Sequence, residues 1–157
     1  MQNRHTRTLR IGTHNLGGLK CSAVLHAAAN TWARLRLDVV CVQETHHTDV
    51  GQLLLMSRDL ADAARRLGAP GWEVVAHSLS PNRRTAGVAI LVRADLYNSS
   101  IKPVPIPQHL KAPGGAPGRV AQFSFAWGAH QLHLTNLYMP TARYQDARRD
   151  LITSVLR

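Results

Sequence analysis

The segment Asp38-Val39-Val40-Cys41-Val42-Gln43 sets an unbroken apolar run between polar ends, and no other stretch of the chain limits the fold as much. A run without alternation cannot lie on a half-wetted sheet; it needs cover on both faces, the situation of a strand inside an α/β layer. Upstream, Leu9 and Ile11 alternate with Arg10 and Gly12, which predicts a strand over 8–14 ending at Asn15, and Asn15-Leu16-Gly17-Gly18 supplies a turn. Between the two strands, Cys21, Val24, Leu25, Ala28, Trp32 and Leu35 recur at three-to-four spacing, so residues 21–36 are expected to form an amphipathic helix. Strand, helix and strand make a crossover that is almost always right-handed with parallel strands. Asn15 and Glu44 are therefore expected at one edge of the sheet, and chemistry is expected there.

The rest of the chain extends this layer. Leu53, Met56, Leu60, Ala64 and Leu67 predict a helix over 51–67, stopped by Gly68 and Pro70. Strands over 72–78 and 87–92, separated by the polar loop 80–85, read as a hairpin. Residues 101–106 read as a short edge strand, because Pro103, Pro105 and Pro107 cannot donate to a ladder, and 108–118 read as a Pro/Gly loop. A second hairpin pairs 119–127 with 131–137 around Gly128-Ala129, and 143–156 reads as a helix with Ala147, Leu151 and Leu156 inward. At 157 residues this is a single domain, 1–157, with no internal repeat.

Charge narrows the partners. Nineteen Lys and Arg against nine Asp and Glu give a formal charge of +10, and sixteen of the cations are Arg, whose planar fork pairs bidentately with phosphate. A polyanion is favoured, although an Arg- and Ala-rich composition alone gives the same bias. No apolar run approaches the roughly 20 residues of a membrane-spanning helix, and MQNRHTRTLR lacks the apolar stretch of a secretory signal, so no membrane and an intracellular setting are expected. Cys21 and Cys41 form no C-x-x-C pair and read as buried free thiols.

Three polar side chains stand where strands end. Glu44, one of only two glutamates, follows the most apolar strand, where a charge is costly unless paired or holding a cation. It reads either as a carboxylate turned to water or as a ligand for a hard cation such as Mg²⁺. By strand parity Asn15 continues the face of Leu9 and Ile11, and Glu44 that of Val40 and Val42, so both are expected just past the last apolar layer of one sheet face. Tyr138 closes the strand Leu132–Leu137 and reads either as a phosphate contact or as an amphipathic ring packed at the core edge.

Taken in order, LRIGTHNLGGL, DVVCVQETH, RTAGVAILV, GRVAQFSF with LHLTNLYMPT, and YQDARRDLITSVLR resemble the endonuclease/exonuclease/phosphatase superfamily. The nearest likeness is to the abasic-site-endonuclease-like nucleases of non-LTR retrotransposons. The resemblance runs end to end but covers the N-terminal half of that domain. It implies an α/β fold, the N-terminal portion of a four-layer α/β-sandwich in which two packed mixed sheets are flanked by helices. Half of such a sandwich is expected to leave a sheet face uncovered for the C-terminal half or a partner. It also implies Mg²⁺- or Mn²⁺-dependent hydrolysis of DNA phosphodiesters, with nuclear action if the chain serves retrotransposition. The resemblance further implies that Asn15 positions the phosphate or its nucleophile, Glu44 holds the metal, Tyr138 hydrogen-bonds the scissile phosphate, and Asn136 organises the same strand or meets substrate. Arg83, Arg84 and Arg119 are candidate contacts to the nucleic-acid backbone. The chain departs from the pattern in lacking the Gly-Asp-x-Asn and Ser-Asp-His motifs and in carrying Gly17 where some relatives have a second metal contact. The expectation is the N-terminal half of a catalytic domain, without strong nuclease activity alone, with a catalytically incomplete remnant or nucleic-acid-binding module as the alternative.

Overall fold

Two helices, a four-stranded sheet and a three-stranded sheet are stacked in that order in the computed structural model, which describes residues 8–18, 21–82, 84–98, 101–105, 118–139 and 149. The first sheet contains β1 (Ile11–Asn15), β2 (Val39–Gln43), β4 (Val88–Arg93) and β3 (Trp72–Ser78) in that spatial order. The second contains β5 (Lys102–Pro103), β6 (Val120–Trp127) and β7 (His130–Leu137). Helices α1 (Ser22–Arg34) and α2 (Val50–Arg66) cover the outer face of the first sheet, and a short 3₁₀ turn, Ala94–Leu96, follows β4.

The crossover has the expected form: β1 and β2 are parallel, with Ile11 beside Val39 and Asn15 beside Gln43. All five residues of β2 are buried, as their lack of alternation requires. Val40 and Val42 pack beneath Leu25, Ala29 and Trp32 of α1 and Leu53, Met56 and Leu60 of α2, whereas Val39 and Cys41 face Ala121, Phe123 and Phe125 of the second sheet. Each large apolar side chain removed from water in these two layers contributes about 1.5–3 kcal/mol. Helix α2 starts where the Asp49 carboxylate accepts from the Gln52 N–H at 3.0 Å while the Gln52 side chain accepts from the Thr48 N–H at 3.0 Å, a reciprocal cap. Its end is set by Gly68, at φ +63°.

Several expectations change in detail. The edge strand β5 is two residues long rather than six, because its prolines leave little ladder to form. Cys41 is buried, and burial pushes its thiol up to about 11, but Cys21 is exposed at the start of α1 rather than inside its stripe. The expected uncovered apolar sheet face is not found among the described residues. The two sheets cover each other, and the outward side of β6 and β7 carries Gln122, Ser124, Gln131, His133 and Thr135. The expected helix over 143–156 and most of the 108–118 loop lie outside the described residues.

One buried amide ties the two sheets at the edge of interest. Asn136, on β7, is 2 % exposed; its Nδ2 donates to the Val42 carbonyl at 2.8 Å and the Ala89 carbonyl at 2.9 Å, and its Oδ1 accepts from Gln43 at 2.7 Å. Removing it orphans polar groups on two strands of the opposite sheet. Asn136→Ala is expected to lower stability by about 2–3 kcal/mol, a leftward shift of the urea midpoint with little change in slope.

Candidate active site

The strand ends at this edge are bent by backbone strain rather than simply truncated. In-register pairing puts Asn15 beside Gln43, on the face of Val39 and Cys41 that looks toward the second sheet. Simple alternation would send Glu44 to the opposite face, with Val40 and Val42 under the helices, so the sequence parity placing both on one face does not hold. What reunites them is the backbone of Glu44, which is left-handed at φ +55°. The turn reverses the alternation and brings its carboxylate to the hydroxyl of Tyr138 and the amide of Asn15.

That turn is held by neighbours on every side. His46 (φ +57°) and Ala86 (φ +62°) are also left-handed, and such residues persist only where surroundings over-determine them, at roughly 1–3 kcal/mol each. The Thr45 N–H donates to Gly87 at 3.1 Å, the Gly87 N–H to Gly118 at 2.8 Å, and the Gly118 N–H to Ser78 Oγ at 3.0 Å. Gly87 itself sits at φ +86°, and a β-carbon there would strike the Thr45 hydroxyl and lie 3.0 Å from the His46 nitrogen. In sequence Gly87 marks only the start of a strand; the tertiary approach of the Thr45 loop is what requires it.

Asn15 is exposed, and its own Oδ1 accepts from the Gly17 N–H at 2.9 Å. This local turn leaves Nδ2 to donate to Glu44. Beneath them Gln43 is 9 % exposed and exchanges hydrogen bonds with Thr13 (2.9 Å from Nε2, 3.2 Å to Oε1) while donating to Asn136. A polar residue closing a wholly buried strand has to be hydrogen-bonded, and Gln43 finds its partners on β1 and β7. The Arg119 guanidinium stands 5.1 Å from the Tyr138 ring centroid and its backbone oxygen accepts from the Tyr138 N–H at 2.8 Å, so one residue fixes both the position and the electrostatics of that ring.

The electrostatics agree with this geometry. The Tyr138 hydroxyl, and after it the Asn15 amide and the charges of His46 and Arg119, outweigh partial burial and hold the Glu44 carboxyl below its ordinary range. Tyr138 shifts the other way, its phenol raised chiefly by the hydrogen bond to Glu44 and then by burial. Near neutral pH the arrangement is an ionised carboxylate beside a protonated phenol. As a metal site the donor set is the Glu44 carboxylate, since Asn15 turns its Oδ1 to Gly17 and its Nδ2 to Glu44, and no group of three or more His, Cys, Asp or Glu occurs among the described residues. That fits a Mg²⁺-like ion, which is commonly held by one or two carboxylates with water and substrate phosphate completing its shell.

The structure thus brings Asn15, Glu44, Tyr138 and Arg119 together and sets Asn136 behind them with its amide used internally. Arg84 is exposed on the loop closed by Ser80 and Asn82, and Arg83 lies outside the described residues. Of the other acids, Asp38 pairs with Arg93 at 3.0 Å at the far end of β2, as the direction of that strand requires.

Residues 12–156 match the model of the Endonuclease/Exonuclease/phosphatase family. Among solved structures, an AP endonuclease from Leishmania major is similar with a TM-score of 0.54 and 22 % identity, covering 84 % of this chain and 40 % of its own. An AP endonuclease from Archaeoglobus fulgidus gives 0.56 and 22 %, covering 89 % and 47 %. An endonuclease/exonuclease/phosphatase family protein from Leptotrichia buccalis gives 0.61 and 12 %, covering 95 % and 61 %. The chain therefore spans about two fifths to three fifths of the length of these structures. No curated protein matches it significantly.

A carboxylate whose folded-state pKa is depressed adds stability that is present above its unfolded value and is lost as pH falls through the folded one. Tyr138→Phe removes the largest cause of that depression. Its expected effect is an upward move of the Glu44 carboxyl titration toward the ordinary range, read by ¹³C NMR with Glu73→Gln as the assignment control; an unmoved titration would mean the phenol does not hold the carboxylate.

Proposed function

The chain belongs to the endonuclease/exonuclease/phosphatase family, and from that premise we propose that it carries part of a metal-dependent site for hydrolysing DNA phosphodiesters, of the retrotransposon-endonuclease type. The observation that supports this reading best is the convergence of three side chains from three separate strand ends on one ionised carboxylate. DNA is favoured as substrate by the +10 charge and its Arg content, and by the two similar structures that are AP endonucleases.

In this reading Glu44 holds Mg²⁺ or Mn²⁺, which would neutralise charge developing on the phosphate oxygens. Asn15 keeps the carboxylate turned outward and offers its amide to the phosphate. The protonated Tyr138 hydroxyl donates to a phosphate oxygen, and Arg119 behind its ring adds positive potential. Gln43 and Asn136 act from beneath, as positioning residues. Arg83 and Arg84 meet the strand's backbone from their loop. The acid and histidine that align the attacking water in the Gly-Asp-x-Asn and Ser-Asp-His motifs do not occur in this sequence, so a complementary segment has to supply them.

Plasmid nicking in Mg²⁺ tests this together with binding of a short duplex. The expected result is weak nicking by the chain alone and DNA binding that Mg²⁺ strengthens in the wild type but not in Glu44→Ala. Robust nicking abolished by Glu44→Ala would overturn the claim of an incomplete site. Binding with a steep salt slope that neither Mg²⁺ nor Glu44→Ala alters would instead favour a binding module without catalysis.

A further inference from the structure

The loop that carries Glu44 has a second side. Its next three residues, Thr45, His46 and His47, form one wall of an open cleft of about 420 Å³ between the start of α1 and the first half of α2, a size typical of small-ligand sites. Leu25 (4 % exposed) and Met56 (2 % exposed) are its floor, Leu55 its half-covered rim, and Gln52 and Asp59 its polar far side. The carboxylate of Glu44 faces the other way, toward Tyr138 just past β7, so the loop divides the two features and lies between them.

Two observations set this cleft apart from an ordinary gap between helices. First, the Nδ1 atom of His47 is buried and has no hydrogen-bond partner, a state that costs about 1–3 kcal/mol unless something fills it. Burial pushes the His47 imidazole down from its ordinary pKa, so it is neutral near pH 7 and offers one donor and one acceptor. Second, His46 is held over the rim by a left-handed backbone, and its Nδ1 lies 2.6 Å from where a β-carbon on Gly18 would stand. Only glycine at 18, itself at φ +88°, lets that ring pass. Two imidazoles, one on a left-handed backbone and one with an unsatisfied nitrogen, thus border Leu25 and Met56.

Two imidazole rings beside leucine and methionine side chains, with Gln52 and Asp59 on the polar side, make a mixed polar and apolar lining of the kind that receives a nucleobase. We propose that this cleft is a subsite for one unpaired nucleotide of the strand whose phosphate is held at Glu44, its base resting on Leu25, Leu55 and Met56 and hydrogen-bonded by His47. The proposal rests on reading the sheet edge as a strand-cleaving site and adds a base-binding element to it. The β2–α2 loop then serves two neighbouring units of one strand, the phosphate on one side and the base on the other.

The test is titration of the 157-residue chain with deoxyadenosine 5′-monophosphate, followed by NMR, with inorganic phosphate as the control. Signals of His46, His47, Leu55 and Met56 are expected to move with the nucleotide and not with phosphate. His47→Ala and Leu55→Glu are each expected to weaken binding about tenfold. Leu55 is half exposed, so its variant keeps the test decisive if the His47 variant does not fold. Shifts confined to Asn15, Glu44 and Tyr138, the same shifts with phosphate, or no saturable binding would each overturn the proposal. Nucleotide binding in the cleft that survives Glu44→Gln would support it even if nicking proved independent of Glu44, which would sink only the catalytic reading. Glu44-dependent nicking without cleft binding would sink only the cleft.

Discussion

The amide of Asn136 is the contact on which the geometry of this edge depends. It belongs to the second sheet, yet every hydrogen bond it makes is to the first: two backbone carbonyls on neighbouring strands and the side chain of Gln43. Apolar packing between Phe123, Ile90 and their neighbours brings the sheets together but is non-directional, and it would tolerate sliding. A buried amide with all three bonds satisfied does not tolerate sliding, because each displaced bond leaves an orphaned group in a dry interface. Tyr138, two residues beyond Asn136, inherits that registration and so arrives at Glu44 rather than near it.

Strain and charge are concentrated at the same place. Glu44, His46 and Ala86 all carry left-handed backbones around a single buried threonine, and Gly87 and Gly118 interlock behind them where no β-carbon fits. The energy stored in those turns is offset by the helix layer on one side and the aromatic interface on the other. What it yields is a carboxylate turned out of its expected face, kept ionised chiefly by a phenol and an amide, with Arg119 adding positive potential. The partition of the loop into a carboxylate side and an imidazole side follows from the same reversal of direction.

The sequence by itself determined the layers. Unbroken apolar strands, two helical stripes and two hairpins admit few arrangements, and the parallel crossover alone brought Asn15 and Glu44 to one edge, as the ladder between Asn15 and Gln43 bears out. Helix ends were legible because caps and breakers act locally: Asp49, Gly68 and Pro70 work within one turn. The face on which Glu44 ends was not legible, since parity assumes extended backbone and one left-handed residue cancels it. The inward course of Gln43 and Asn136 was not legible either, because their partners stand about ninety residues apart in sequence. Strand period and capping are set by nearest neighbours in the chain, whereas side-chain convergence is set by which distant backbones approach, and only the packed tertiary structure decided that.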